Sequence, residues 1–341
     1  MRCNPYNPDA ARGGSLQGRR QVLKILAAAV ALPVGVMGLR EFGRAPAPVQ
    51  WQGEAMGAPA QMTLWHPDPG VARRTFARVE AEIARFERVF SLYRSDSEIV
   101  QLNSDGRLAA PSRDLVAVLE IAQDIAELSG GAFNPALQPL WRAYSAHFSR
   151  PGAARDGPGN STLARLRRSI RYQDIDAGSR QIRFARTGMA LSLNGIAKGH
   201  LTDRITYLLR NEGFDHAMVE VGETGALGAA PDGQPFTVHL MDPAAPGRTD
   251  REIELADAAL SVSGGYGTRF SDAAHHIFDP STGRSADRLL GVVVIAPRAV
   301  AADALSTAIF VAGEAAAPAI LAAHPGSRGW LTRNDGSHAT L

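Results

Sequence analysis

The sequence predicts an α+β fold, and the order of its secondary-structure patterns is the basis for that prediction. Two amphipathic helices come first, many short apolar strands follow, and a buried strand-turn-helix lies near the end. We see no internal repeat at a fixed period. We therefore expect mixed sheets with helices packed against them.

The early helices are predicted from their apolar spacing and from their end signals. The first spans Val71 to Tyr93, a polar turn and short helix cover Ser91 to Asn103, and Ser112 caps a third helix to Leu128. Gly130-Gly131 ends that third helix. The first helix repeats its apolar residues every three or four positions, at Phe76, Val79, Ile83, Phe86 and Phe90.

Most β-strands are predicted in the second half of the chain. A helix interrupts them over Ile196 to Asn211, and Asp232-Gly233 predicts a hairpin-type turn between two of them. Ser145 to Thr162 is rich in Gly, Pro and Ser and predicts a flexible insertion. The predicted strands are Gln61–Trp65 after a turn at Met56-Gly57-Ala58, Ser169–Ile175, Gln181–Ala185, Met189–Leu193, Ala217–Val221, Phe236–Leu240, Glu252–Leu255, Ala259–Val262, His276–Phe278 and Val292–Ile295.

The N-terminus predicts a twin-arginine signal peptide. Arg19 and Arg20 precede the apolar run Ile25 to Leu39, which is short for a membrane span. We expect residues 1–48 to be signal peptide and linker, residues 49–341 to fold, and cleavage to fall between about residues 38 and 50. An uncleaved anchor helix is the alternative. The predicted location is the bacterial periplasm, reached through the twin-arginine export machinery.

Composition excludes several classes of function. The chain has 341 residues, a net charge of +2 and 45% hydrophobic residues, which is enough to bury a large core. No basic stripe with interleaved aromatic residues is present, so a nucleic-acid partner is not expected. Cys3 is the only cysteine and lies within the predicted signal. A disulfide, a zinc-thiolate site and a cysteine nucleophile are therefore excluded.

The strongest candidate for a metal site lies in the last strand-turn-helix. An apolar run ends at Pro297, and the following helix carries Asp303 and Thr307 on one face. Oxygen ligands at such a strand end suit Mg²⁺, which often shares its coordination with substrate phosphates. The alternative is an acidic residue that complements the helix dipole beside a neutral threonine.

A second candidate site is the stretch Asn194 to His200, between a predicted strand and a helix. Its glycines let the backbone approach a ligand, the helix start offers N–H groups to an anion, and Lys198 adds a positive charge. The spacing is not that of a P-loop. A tight strand-to-helix turn without a ligand is the alternative.

Two further clusters carry groups suited to catalysis or ring binding. His275 and His276 precede a turn sequence, and adjacent strand residues point to opposite faces, so only one of them would serve as a general base. One surface histidine and one packed histidine is the alternative. In the segment Gly130 to Pro135, Phe133 and Asn134 could contact the flat ring of a ligand. The alternative is a helix stop with the Phe133 side chain in the core.

Together these segments resemble the FAD:protein FMN transferase (ApbE) family from about Ala55 to about Gly313. The combination of His276 to Gly283 with Asp303 to Thr307 is the most specific part of the resemblance. The other matching segments are Met56-Gly57, Tyr93–Asn103, Gly131–Pro135, Gly195–Gly199, Gly222-Glu223, Pro231–Gly233, Asp242-Pro243 and Ser263-Gly264.

The resemblance implies an ApbE-like, T-fold-like architecture with a flavin site in a cleft between sheets and helices. It implies Mg²⁺-assisted transfer of FMN from FAD to a Ser or Thr of an acceptor flavoprotein, with release of AMP. His276 would be the base that takes the proton of the acceptor hydroxyl. Metal ligands would be Asp303, Thr307, the Gly195 carbonyl and Ser306, and FAD contacts would be Met56, Tyr93, Ala132, Phe133, Asn134, Ser192 and Lys198.

Two positions depart from the usual family pattern. Ser192 stands where the family commonly has Asp in the run Asp-Leu-Gly-Gly-Ile-Ala-Lys-Gly, and Glu223 stands where it commonly has the Asp of Gly-Gly-Asp. The sequence here is similar to a subgroup with Leu-Asn-Gly-Ile-Ala and Gly-Glu that is associated with nitrous oxide reductase maturation. In that subgroup the acceptor would be a periplasm-facing membrane flavoprotein, a regulator of nitrous oxide reduction.

Other functions stay open at this point. The departures at Ser192 and Glu223 are compatible with a flavin-binding carrier or assembly factor that has lost its chemistry. An FAD pyrophosphatase that releases free FMN without an acceptor is another possibility. A plain periplasmic binding module would show neither flavin binding nor metal dependence.

Overall fold

The computed structural model describes residues 46–245 and 248–341. The twin-arginine motif, the apolar run and Cys3 all lie outside the described residues. The first strand begins at Pro48, one residue before the predicted start of the folded domain. Within the described ranges, no helix is long and apolar enough to cross a membrane.

The first part of the described chain holds most of the helices, and eight consecutive strands follow the helix Ala197–Asn211. The α-helices are α1 (Pro69–Phe90), α2 (Glu98–Asp105), α3 (Arg113–Leu128), α4 (Gln138–Phe148), α5 (Asn160–Leu166), α6 (Ala197–Asn211), α7 (Ala299–Ala312) and α8 (Ala317–Ala322). The strands are β1 (Pro48–Ala55), β2 (Ala58–Trp65), β3 (Arg107–Ala109), β4 (Ile175–Ala177), β5 (Gln181–Phe184), β6 (His216–Glu220), β7 (Thr224–Leu227), β8 (Phe236–Met241), β9 (Thr249–Leu255), β10 (Ala259–Gly264), β11 (Phe278–Asp279), β12 (Arg284–Ser285), β13 (Gly291–Ala296), β14 (Arg328–Thr332) and β15 (His338–Thr340).

The main sheet has the strand order β1-β2-β6-β7-β10-β13-β14-β15. Smaller sheets pair β8 with β9, β11 with β12, and β3 and β4 with β5. Every pairing among the described strands is antiparallel. The α+β prediction is confirmed.

Side chains alternate between the two faces of the main sheet, and each face is covered. Val292 and Val294 belong to the large core shared with the helices. Leu260 and Ile295 face the other way and pack against the β8–β9 ribbon. This period-two pattern places the two helices that matter most for the site, α6 and α7, on one side of the sheet.

The predicted first helix is confirmed with shifted ends, as α1. Asp68 caps its N-terminus by accepting from the Gly70 N–H, and Pro69 occupies the first turn, where a missing N–H costs nothing. Ser112 caps α3 as predicted, accepting from the Leu115 N–H at 3.3 Å. The spaced apolar residues of α1 are all buried, at Phe76, Val79, Ile83, Phe86 and Phe90.

Helices α6 and α7 cross at unusually close range because of Gly199. A Cβ atom at this position would lie 2.3 Å from the Ala299 carbonyl oxygen. Only glycine permits that approach, so the start of α6 lies directly against the start of α7. Asp203 of α6 fixes the same crossing by accepting from the backbone N–H groups of Ala299 and Val300 at 2.6 and 3.2 Å.

The predicted strand at Met189 to Leu193 is wrong, because a side chain takes the place of a partner strand. The Asn103 Oδ1 accepts from the Leu191 N–H at 2.6 Å, and its amide donates to the Leu191 carbonyl at 2.9 Å. The Ser192 N–H donates to the Pro135 carbonyl at 2.8 Å. These bonds hold the segment that leads into Gly195, so Asn103 is a structural residue of the site.

Replacing Asn103 with alanine is expected to destabilise the fold by about 1–3 kcal/mol, because the buried N–H and C=O of Leu191 both lose their partner. Urea unfolding followed by circular dichroism measures this loss. The Ser104→Ala variant is the matched control, since that neighbouring side chain is exposed on the same helix. Equal midpoints for the two variants would contradict this role of Asn103.

Other predictions of local structure need correction. Ser169 to Ile175 forms two 3₁₀ turns before β4, not a strand, and the predicted strand at His276 is restricted to Phe278–Asp279. The turn at Asp232-Gly233 is present, but the strands that flank it belong to different sheets. Strand β1 is not among the predicted strands: it lies between the predicted linker, which ends at residue 48, and the predicted turn at Met56-Gly57-Ala58.

The predicted flexible insertion over Ser145 to Thr162 is also wrong. Its ends are helical, in α4 and α5, and its middle is anchored by hydrogen bonds to distant residues. The Ser271 hydroxyl donates to the Arg155 carbonyl at 2.7 Å, and the Arg284 guanidinium donates to the Asp156 carbonyl at 3.1 Å. Composition alone could not reveal these tertiary contacts.

Candidate active site

The site is built around Asp303, one turn into α7. Its side chain is buried, and its Oδ2 accepts from the Gly199 N–H at 3.0 Å. The other oxygen, Oδ1, lies 3.9 Å from the Lys198 Nζ. The close crossing of α6 and α7 therefore orients the carboxylate and brings a cation beside it.

Lys198 lies between two buried carboxylates. Its ammonium forms an ion pair with Glu223, which follows β6 in the hairpin turn to β7. Gly222 of that turn has a φ of +116°, and a Cβ there would lie 2.9 Å from the Lys198 Cβ. Burial lowers the pKa of Lys198, but the charges of Asp303 and Glu223 outweigh it, so the net pKa is raised and the amine stays protonated.

Asp303 has the opposite balance. Burial raises its pKa above the ordinary aspartate value, the Lys198 charge lowers it, and the Glu223 charge raises it again. The Lys198 charge therefore does not fully compensate the buried carboxylate. An additional cation beside Asp303 would favour the ionised form of this carboxylate.

Gly195 lies against Thr307, as the metal-site prediction requires. A Cβ at Gly195 would be 3.3 Å from the Thr307 Oγ1 and 3.5 Å from the Phe133 ring. The missing side chain leaves the backbone of Gly195 close to the threonine hydroxyl and to one edge of the aromatic ring. Gly195, Phe133 in the turn after α3, and Thr307 of α7 therefore lie next to one another.

Ser306 is placed differently from its predicted role. It is fully buried, and its hydroxyl donates to the Asp303 carbonyl at 3.0 Å. It also contacts the Ser261 and Ser263 hydroxyls at 3.2 and 2.8 Å. One donor and two acceptor positions are then all in use, so Ser306 has no lone pair to offer a metal ion.

His276 lies over the loop that follows β10. Its Nδ1 is 3.1 Å from the Thr268 carbonyl oxygen, and a Cβ at Gly267 would lie 3.2 Å from its Cε1. The Thr268 N–H lies 3.3 Å from the same Nδ1, so the tautomer sets the role of the ring: where Nδ1–H donates to the carbonyl, the lone pair of Nε2 accepts a proton. Within the described ranges, Nε2 has no hydrogen-bond partner.

The two neighbouring histidines diverge, as their adjacency predicts. Their ring centroids are 6.3 Å apart with planes 69° apart. The His275 Nε2 bonds the Ala286 carbonyl at 2.8 Å, and its ring packs against Phe310. His275 is therefore a packed residue, which leaves His276 as the candidate base.

Burial is the largest influence on His276 and lowers its pKa to about 4. The charges of His275 and of Lys198 from α6 act in the same direction, and the hydrogen bond to Thr268 opposes them. The imidazole is therefore neutral at physiological pH. A neutral imidazole is the form that a general base requires.

Met56 and Tyr93, the first two predicted flavin contacts, lie at the C-terminal end of α1. Met56 and Gly57 form a two-residue hairpin turn with φ values of 53° and 77°, and the Met56 N–H donates to Glu87 of the last helical turns. Tyr93 follows the helix and is 76% exposed. A large aromatic ring with that exposure is available for stacking.

Of the remaining predicted flavin contacts, Phe133 lies beside Gly195. Phe133 is buried beside that glycine, and the Asn134 Oδ1 accepts from the Ala136 N–H at 2.9 Å. Ala132 precedes them and is packed against the core. Ser192 is tied to Pro135 through its backbone, as described above. Asn134 therefore shapes its own turn, in addition to any contact with a ligand.

The donor set fits a magnesium ion that takes few ligands from protein. Asp303 and Thr307 lie one helical turn apart on α7, and Gly195 lies against the Thr307 hydroxyl, so a carboxylate, a hydroxyl and a backbone carbonyl are the hard oxygens on these residues. Among the described residues, no group of three or more His, Cys, Asp or Glu side chains could hold a metal ion. A single carboxylate with neutral oxygens matches Mg²⁺ sites that are completed by water and substrate phosphates.

Two surface cavities lie elsewhere. One of about 460 Å³ is lined by residues of α2, β3 and β5, and one of about 260 Å³ lies between α6 and the start of α7. Neither contains one of the predicted site residues. The cleft expected for the flavin stays a prediction.

A family model of the ApbE family matches residues 56–330. The chain belongs to the ApbE family. The FAD:protein FMN transferase of Treponema pallidum is 36% identical over 261 residues, covering 70% of this chain and 72% of that protein. The FAD:protein FMN transferase of Salmonella typhimurium is 26% identical over 285 residues, covering 79% of each chain.

Solved structures confirm the ApbE-like fold. The apo flavinyl transferase ApbE of Pseudomonas stutzeri matches with a TM-score of 0.75 at 23% identity, covering 89% of this chain and 96% of that one. The ApbE protein of Thermotoga maritima matches with a TM-score of 0.74 at 24% identity, covering 86% and 97%.

The sequence analysis did not predict a role in the site for three of its residues, Asn103, Ser263 and Glu223. Asn103 and Ser263 were noted only inside matching segments, and Glu223 only as a departure from the family pattern. A signal was present for Ser263, because it directly follows the predicted strand Ala259–Val262 and shares a face with Ser261 if that strand continues by one residue. The ion pair of Glu223 with Lys198 depends on a tertiary contact that no sequence pattern reports.

Proposed function

We propose that this protein is a Mg²⁺-dependent FAD:protein FMN transferase that attaches FMN to a Ser or Thr of an acceptor flavoprotein and releases AMP. The observation that supports it best is the meeting of Asp303, Thr307 and Gly195 beside the cation Lys198, with His276 on the loop after β10. The names of the curated relatives agree with this activity.

The proposed reaction is a displacement at the phosphorus of the FMN half of FAD. The acceptor hydroxyl oxygen bonds to that phosphorus, and the bond from phosphorus to the bridging oxygen breaks, so AMP leaves. The Nε2 of His276 takes the hydroxyl proton. Lys198 holds a positive charge near the nucleotide, and Phe133, Met56 and Tyr93 provide packing for the flavin.

Asp303, Thr307 and the Gly195 carbonyl are the proposed ligands of the metal. When bound, Mg²⁺ neutralises charge on the diphosphate, which is the main requirement for phosphoryl transfer. Ser306 is assigned a supporting role, since its hydroxyl is fully engaged with Asp303 and β10.

Incubation of the pure protein with FAD, MgCl₂ and a Ser/Thr acceptor peptide tests the proposal. Mass spectrometry should find an added FMN on the peptide, and chromatography should find an equal amount of AMP. Free FMN with an unmodified peptide would indicate a pyrophosphatase instead. FAD binding without AMP would indicate a carrier, and neither binding nor turnover would indicate a plain binding module.

The pH dependence of transfer is expected to reflect the lowered pKa of His276. A base must be neutral, and a pKa of about 4 keeps it neutral well below the 6.5 of an ordinary histidine. The acid limb of kcat/KM, which reports groups of the free enzyme, should therefore fall between about pH 5 and 4, not near 6.5. Stopped assays from pH 4 to 8 measure it, and a midpoint near 6.5 would contradict the assigned environment.

The acceptor and the location are also part of the proposal. The twin-arginine pattern before Pro48 supports export to the periplasm, with a periplasm-facing membrane flavoprotein of nitrous oxide reduction as the acceptor. Mass spectrometry of periplasm-facing proteins, with and without this chain, should find an FMN mass on Ser or Thr only when the chain is present. An unchanged flavinylation pattern would contradict the proposed acceptor class.

A further inference from the structure

A chain of hydroxyl groups connects β10 to α7 beneath the proposed metal ligands. The Thr307 Oγ1 lies 3.1 Å from the Ser263 Oγ, which lies 2.8 Å from the Ser306 Oγ. Ser306 in turn lies 3.0 Å from the Asp303 carbonyl oxygen. Ser263 and Ser306 are buried, so water does not compete for these bonds.

The direction of each hydrogen bond follows from counting protons. A carbonyl oxygen only accepts, so the single proton of Ser306 goes to Asp303. Ser263 must then donate to Ser306. Since the proton of Ser263 is used there, Thr307 must donate to Ser263. The chain therefore runs in one direction, from Thr307 to the helix backbone.

The direction of the chain determines whether the Thr307 hydroxyl presents a proton or a lone pair to a ligand. A threonine in a helix commonly donates to the carbonyl three or four residues earlier, which for Thr307 includes Asp303. Here Ser306 already occupies that carbonyl, and the Thr307 proton is drawn toward β10. Both lone pairs of its oxygen remain, and within the described part of the chain this oxygen makes no other hydrogen bond.

We propose that Ser263 and Ser306 are positioning residues that fix the Thr307 hydroxyl as an oxygen-only ligand facing Gly195. The inference rests on the proposed function, because it needs the Mg²⁺ site. A hydroxyl free to rotate would spend part of its time pointing its proton at the cation, which repels it. Partners of metal ligands typically change metal affinity about tenfold to a hundredfold.

Ser261 provides a matched control. It lies on the same strand and the same face as Ser263, is also buried, and bonds Ser306 at 3.2 Å. It donates to Ser306 but is not in the path from Thr307. Removal of its hydroxyl leaves the direction of the other three bonds unchanged.

Titration of Mg²⁺ into the full chain loaded with FAD, without acceptor, tests the inference by calorimetry. Ser263→Ala and Ser306→Ala are expected to weaken Mg²⁺ binding about tenfold or more. Ser261→Ala and the hydroxyl-preserving Ser263→Thr should stay within about twofold of wild type. Ser306→Ala is the most specific variant, because Ser306 makes no hydrogen bond to Thr307.

Each outcome bears on a different claim. If wild type does not bind Mg²⁺, the metal part of the proposed function fails. If wild type binds and all four variants match it, or if Ser261→Ala weakens binding as much as Ser263→Ala, the positioning role is overturned. If Ser263→Ala does not fold, as judged by thermal melting without metal, the affinity of Ser306→Ala decides the question.

Discussion

Replacing His276 with alanine is expected to slow FMN transfer about a hundredfold to ten-thousandfold while much of the FAD binding is kept. General bases typically contribute this much, and the side chain removed is a neutral imidazole whose Nε2 has no hydrogen-bond partner among the described residues. Single-turnover transfer to the acceptor peptide measures the rate, and fluorescence titration measures FAD affinity.

The neighbouring histidine provides the control for that variant. His275 is the adjacent residue, but its ring packs on Phe310 and its Nε2 bonds the Ala286 carbonyl. His275→Ala should lower the free energy of unfolding, whereas the transfer rate per folded molecule should stay close to that of the wild type. Added imidazole should restore part of the His276→Ala rate, with an acid limb at higher pH than in the wild type, because imidazole in solution is not desolvated by burial. A normal rate for His276→Ala would remove it from the mechanism.

Replacing Asp303 with alanine is expected to abolish Mg²⁺-dependent turnover. The variant loses the only carboxylate among the proposed ligands. A bound metal ion stabilises the charge of a transition state by several kcal/mol. Transfer measured across a range of MgCl₂ concentrations should become slow and flat. The fold should survive, because Lys198 keeps its ion pair with Glu223.

The Asp303→Asn variant separates charge from hydrogen bonding. Its amide oxygen can still accept from the Gly199 N–H, so the crossing of α6 and α7 is preserved. We expect it to fail in Mg²⁺ binding as Asp303→Ala does. Asp176→Asn is the control for loss of an exposed carboxylate, which is 70% exposed and 3.7 Å from Arg183. Full Mg²⁺-dependent activity in Asp303→Asn would exclude the carboxylate as a ligand.

Periodicity explains which parts of the fold were predictable. The α1 residues repeat every three or four positions and β10 alternates every two, because each element buries one continuous face. Met189 to Leu193 looks like a strand by the same criterion, yet the Asn103 amide satisfies Leu191 in place of a ladder. Burial and extension are visible in sequence, whereas the partner that satisfies the backbone is not.

Some residues of the candidate site could also be predicted from the sequence, and others could not. Asp303 and Thr307 could be paired from helical spacing, and Gly195 and His276 from the family resemblance. The family resemblance implied Ser306 as a further metal ligand, but adjacent helix residues point about 100° apart, and Ser306 faces β10. The direction of the hydroxyl chain needs three-dimensional contacts between elements about forty residues apart.

A crystal structure of the full chain with FAD and Mn²⁺ in place of Mg²⁺ tests the central claim most directly. Anomalous scattering should place one metal ion within coordination distance of the Asp303 Oδ1, the Thr307 Oγ1 and the Gly195 carbonyl, in contact with the diphosphate. An ordered FAD whose diphosphate lies away from α7, or a metal ion bound to other residues, would contradict the account.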